Sequence, residues 1–74
     1  MKVEVKLFAA FRKGRFIQQE MELPEGACLR DVLDSLNITA EEISLPLING
    51  VYSSVQDSIR EGDVLSLFPA VGGG

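Results

Sequence analysis

The chain has 74 residues, seven Lys and Arg against eleven Asp and Glu, and a formal net charge of −4. That is the length of one small domain, and its acidic balance offers no basic stripe for nucleic-acid phosphates. With no His and a single Cys, an internal disulfide, a metal-ligand spacing and a Ser–His or Cys–His nucleophile pair are all excluded, so the chain is not expected to be an enzyme on its own. Hydrophobic residues make up 46% of the chain and are spread along it, which is the composition of a folded domain. The apolar runs are too short to span a membrane, and no charged segment followed by an apolar one opens the chain. A cytoplasmic location is therefore expected.

In chain order, Val3, Val5 and Leu7 alternate with Lys2, Glu4 and Lys6, predicting a half-buried strand. Ala9 to Gly14 interrupts the pattern. Ile17, Met21 and Leu23 then define a second alternating face, with Gln19 as its exception, opposite Phe16, Gln18, Glu20 and Glu22. Nearness in sequence predicts an antiparallel pair. Pro24-Glu25-Gly26 ends that strand. Leu29, Val32, Leu33 and Leu36 follow at i, i+3, i+4 and i+7, the apolar stripe of a helix, and Asn37 suits its C-terminal stop. Cys28 lies at the helix start, where Ser or Thr would cap better; it reads as a small packing residue. Thr39 to Ile43 predicts a short helical turn, Leu45 to Asn49 a third strand, Asn49-Gly50 a tight turn and Val51 to Val55 a short fourth strand. Glu61-Gly62-Asp63 marks a turn before the last strand, Val64 to Phe68, which Pro69 stops.

One amphipathic helix must cover one face of a small mixed sheet. The first and last strands are the most apolar and are expected side by side in the middle. A crossover through the helix makes them parallel and right-handed. This is the β-grasp, or ubiquitin-like, α+β fold, with residues 1–69 as the domain and 70–74 as a flexible C-terminal tail.

That tail ends Phe68-Pro69-Ala70-Val71-Gly72-Gly73-Gly74. Its six residues after Phe68 reach roughly 20 Å when extended, and glycines can thread a channel that a Cβ would block. The tip presents one functional group, the Gly74 α-carboxylate. A carboxylate is a poor electrophile. Adenylation by ATP gives it a good leaving group, and a sulfur donor can then displace the adenylate to leave a thiocarboxylate. The phase of the strands adds a second clue. With Val5, Leu7, Leu65 and Leu67 inward, Phe8 and Phe68 point outward together on the open face of the sheet, as exposed aromatics at interfaces do. Tyr52 is expected to border them and Arg12 to add a charged contact. The acidic residues Glu20, Glu22, Asp31 and Asp34 read as solvated surface.

Val5-Lys6-Leu7-Phe8-Ala9 with Arg12, Leu23-Pro24-Glu25-Gly26, Ile48-Asn49-Gly50, Glu61-Gly62-Asp63-Val64 and the Phe68-to-Gly74 ending together resemble the molybdopterin synthase small subunits (MoaD type) of the MoaD/ThiS sulfur-carrier family, over essentially the whole chain. Ala70 stands where that family often has a second proline, and Gly72 where another small residue is common. The resemblance implies that an ATP-dependent E1-like enzyme (MoeB/ThiF type) adenylates Gly74, and that a sulfur-transfer system thiocarboxylates it. The tail then enters a large synthase subunit (MoaE type), in a heterotetramer, and donates sulfur to a pterin precursor of the molybdenum or tungsten cofactor. It makes Gly74 the carrier position with Gly73 beside it, and puts Phe8, Arg12, Tyr52, Phe68, Pro69, Val71 and Gly72 against the partners. It implies no metal and no stably bound cofactor. Three other functions fit the residues: a sulfur carrier for thiamine or another metabolite, a ubiquitin-like protein modifier, and an interaction module with an inert tail.

Overall fold

The computed structural model describes residues 1–44 and 46–70. Strand β1 (Lys2–Leu7) is followed by a 3-10 turn (Ala9–Arg12), β2 (Gln18–Glu22), helix α1 (Leu29–Ser35), β3 (Leu47–Ile48), β4 (Val51–Tyr52) and β5 (Val64–Leu67). The five strands form one sheet in the order β2-β1-β5-β3-β4. The β1 and β5 strands pair in parallel, with Val5 opposite Leu65, while β2, β3 and β4 join antiparallel. This is the small mixed sheet with one helix expected of a β-grasp.

Phase along the strands builds the core. Val3, Val5 and Leu7 on β1, with Leu65 and Leu67 on β5, meet Leu29, Val32 and Leu33 of α1, all essentially without solvent exposure. Ala27, Ile38, Ile43 and Ile59 close the rim. Each fully buried Leu or Val is worth about 1.5–3 kcal/mol of apolar transfer. No buried side-chain polar atom among the described residues lacks a partner, so desolvation subtracts little from that gain.

The helix begins and ends where local chemistry dictates. Cys28 is extended at the N-cap, and its N–H donates to the Asp31 carboxylate at 2.8 Å, half of a capping box. At the other end Leu36 is the C-cap, and Asn37 takes φ 57°, the left-handed stop that Asn tolerates. Across the β3–β4 hairpin, Asn49 and Gly50 both have positive φ, 53° and 81°, as a two-residue type I′ turn demands.

Several expectations need correction. The second strand starts at Gln18, and Ile17 is 62% exposed. Ile17 keeps the inward phase, and its carbonyl accepts the Leu7 N–H at 2.9 Å, but it stands just ahead of the strand with its side chain in water; its neighbour Phe16 packs against the core instead. Thr39 to Ile43 forms a turn, not a helix, because the Thr39 N–H and hydroxyl both bind Glu42 Oε1 (2.9 and 3.0 Å) and close a single loop. The third and fourth strands are only two residues each; Leu45, expected to open the third, lies outside the described residues. Phe11, placed in no element by periodicity, is core. Pairing also does not stop at Pro69. The proline cannot donate a hydrogen bond, but its neighbours can, and a short antiparallel contact resumes there, described next.

Candidate functional site

The β1 strand delivers Phe8. Its N–H continues the parallel ladder by donating to the Leu67 carbonyl at 3.2 Å. The chain then turns sharply at Ala9, φ 52°, a region that disfavours a Cβ, and enters the 3-10 turn. That turn carries Phe11 down into the core and brings Arg12 back, so that Arg12 Nε donates to the Leu7 carbonyl at 2.7 Å. The Arg12 guanidinium carbon lies 5.3 Å from the centroid of the Phe8 ring, within cation–π range.

The β5 strand delivers Phe68 beside Phe8. The two rings stack with centroids 4.3 Å apart and planes 11° from parallel. Both rings are half-buried, on the face opposite α1. The phase argument therefore placed this pair correctly, and Arg12 joins it.

Beyond Phe68 the backbone is held by the segment from Glu42 to Ser44. The Ser44 N–H and hydroxyl both donate to the Phe68 carbonyl, at 2.9 and 3.1 Å. Pro69 bridges to Ile43, and the Ala70 N–H donates to the Glu42 carbonyl at 2.7 Å. The chain is thus fixed through Ala70, the first residue of the expected tail. The Glu42 carboxyl is held below the usual carboxylate range by the Thr39 N–H, then by the Thr39 hydroxyl, with the charge of Arg15 adding to them. Ser44 and Glu42 were not singled out from sequence. The Thr-x-x-Glu spacing announces the local turn, but nothing in it says what the next residues will grip.

Tyr52 is 70% exposed. Register puts it on the same face as the aromatic pair, through Leu47 to Ser66, but two strands away from β5, roughly 10 Å. It walls an open groove of about 760 Å³ with Ile43, Ser44 and Pro46, so it borders the segment that grips the tail root. The remaining expected site residues, Val71, Gly72, Gly73 and Gly74, lie outside the described residues.

A family model described as the ThiS family matches residues 5–74, through the last glycine. The chain belongs to the ThiS family. Its solved structural relatives agree. A candidate molybdopterin converting factor, subunit 1, from Pyrococcus furiosus is 33% identical over 96% of this chain and 99% of that one, with a TM-score of 0.80. SAMP1 from Haloferax volcanii is 26% identical, with both chains fully covered and a TM-score of 0.78. A chain in the complex of subunits 1 and 2 of the Helicobacter pylori molybdopterin-converting factor shares the fold, with 22% identity over both full lengths and a TM-score of 0.64. This is a MoaD/ThiS-type, ubiquitin-like β-grasp protein of the sulfur-carrier family.

Proposed function

We propose that the chain carries sulfur as a thiocarboxylate on Gly74 and delivers it, as the non-catalytic small subunit of a molybdopterin synthase, to a pterin precursor. The observation that supports this most is the family match running to the terminal glycine. The stacked Phe8–Phe68 pair at the root of that same segment agrees with it.

The Gly74 carboxylate attacks the α-phosphorus of ATP, held by an E1-like activating enzyme, and pyrophosphate leaves. A sulfur nucleophile then attacks the acyl carbon and AMP leaves, so the carboxyl oxygen is exchanged for sulfur. ATP is consumed by the activating enzyme and is not a resident cofactor. Gly73 and Gly72 pass through the partner's channel because they lack side chains, while Phe8, Arg12, Phe68 and Pro69 rest on the partner's surface. Tyr52 contacts the partner at the margin and Val71 just beyond the tail root. A large subunit completes the synthase, in a heterotetramer, in the cytoplasm.

Mass spectrometry after incubation with an activating enzyme, ATP and a sulfur donor is expected to show oxygen-to-sulfur exchange at Gly74. Addition of a large synthase subunit and the pterin precursor is then expected to yield product. An untrimmed variant with alanine appended after Gly74 that still supports normal cofactor production overturns the proposal.

A second reading draws on the likeness to the Haloferax volcanii structures of SAMP1 and of small archaeal modifier protein 1. Here the activated Gly74 is captured by a lysine amine instead of sulfur. Isopeptide-linked Gly74 in digests from native cells, with no thiocarboxylate, favours this reading over the first.

A further inference from the structure

The Asn49-Gly50 turn of the β3–β4 hairpin is held by three hydrogen bonds, two to Val64 of β5 and one to Asp63 just ahead of it. The Asn49 backbone N–H donates to the Val64 carbonyl at 2.8 Å. The Val64 N–H donates back to Asn49 Oδ1 at 2.9 Å, and Asn49 Nδ2 donates to Asp63 Oδ1 at 2.9 Å. Both polar atoms of the carboxamide are therefore used. Asp63 is itself fixed, because its other oxygen accepts the Arg60 N–H at 2.9 Å. Asn49 and Gly50 are nonetheless exposed to water.

An Asn followed by Gly is the pair whose side-chain amide is most open to attack by the next backbone nitrogen, since Gly has no side chain to obstruct the ring. We infer that Asn49 is a spontaneous modification site gated by this clasp, inert while the carboxamide is bound to Asp63 and Val64 and reactive when the hairpin lifts from β5. In the open form the Gly50 nitrogen loses its proton and attacks Asn49 Cγ. The Cγ–Nδ2 bond breaks, ammonia takes up the proton, and a succinimide remains. Water then opens that ring to an aspartyl or isoaspartyl linkage, with no oxidant or reductant required. The product cannot restore the clasp: the aspartyl form sets a carboxylate against that of Asp63 with no proton between them, and the isoaspartyl form adds a methylene to a two-residue turn. Modification is thus a one-way record of hairpin opening.

The test follows the amide-to-acid mass change in the full chain at mildly alkaline pH, natively and unfolded in urea. Conversion is expected to be at least about tenfold slower in the native protein, the ratio set by local opening. Equal rates overturn the proposal. Asp63→Ala is expected to convert faster than its unfolded fraction, measured by circular dichroism, accounts for; conversion that tracks that fraction alone overturns the gating by Asp63. The clasp chemistry has its own readout. Asn49→Asp is expected to lower the thermal midpoint at neutral pH, and combining it with Asp63→Asn, which exchanges donor for acceptor, is expected to restore it. Failure of that rescue overturns the role assigned to the pair.

Discussion

Phe68 serves two purposes, because its ring and its carbonyl act in different directions. The carbonyl takes two donors from Ser44, and the ring lies on Phe8. Replacing the ring alone leaves the backbone contact. Phe68→Ala is therefore expected to keep the far-ultraviolet circular dichroism of the wild type while weakening partner binding about ten- to hundredfold, the worth of one Phe side chain; unfolding on that change would assign the ring to the core. Glu42 offers a residue-scale test of pH dependence. Its folded value is depressed, so its contribution is fully present above its unfolded value and is lost as pH falls through the folded one. Glu42→Gln is expected to flatten that part of the acid-side stability curve. A variant whose acid titration superimposes on the wild type would show that the Thr39 contacts do not persist in solution. Phase made Phe8 and Phe68 legible in the sequence, since each is one step past an inward residue. It gave no help with Phe11, whose 3-10 turn has no strand period, and it misled at Ile17, which keeps the inward phase just ahead of the second strand yet faces water.

At the scale of elements, α1 is short, so its ends matter more than its middle. Cys28 at the N-cap donates its own N–H to Asp31, but sulfur is a weak acceptor for the return bond. Cys28→Ser is expected to raise stability by about 0.5–1 kcal/mol, read as a higher midpoint in urea; no gain would mean that the thiol already fills the capping role or packs better than a hydroxyl. Asn37 at φ 57° should tolerate Gly, whereas Asn37→Ala is expected to lower stability by about 1 kcal/mol, measured in the same titration. The helix's C-terminal end was legible from residue type, at Asn37, and its start from where the apolar stripe begins, since Cys is no typical cap. The strand ends were less so. The third and fourth strands are cut to two residues each because the hairpin turn is fixed at Asn49-Gly50 and, at the next rung out, the Ser53 N–H reaches the Pro46 carbonyl but Pro46 has no N–H to donate back. The grip of Glu42 to Ser44 on Phe68 to Ala70 has no sequence signal, since backbone atoms make most of it and every residue has those.

Across the whole molecule, the central pair of strands comes from the two ends of the chain. Val5 meets Leu65 and Leu7 meets Leu67, so the sheet cannot close until nearly the full length is present, and β1 and β3 both depend on β5. Truncation before Val64 is expected to abolish the folded circular-dichroism signal; a folded truncate would show that α1 and the β1–β2 pair suffice. Leu65→Ala, at the center of this junction and fully buried, is expected to cost about 2–5 kcal/mol, a large share of what so small a domain holds. The topology was legible because one amphipathic helix and two strongly apolar strands leave few arrangements.

The same parallel pairing has a practical consequence. Because β1 and β5 run in one direction, Met1 and Phe68 occupy opposite ends of the sheet, separated by about the 20 Å that a six-residue strand spans. A fluorophore, affinity tag or surface tether attached ahead of Met1 therefore sits at the pole far from the stacked rings, and immobilised protein would leave the Phe8–Phe68 end open to any enzyme added in solution.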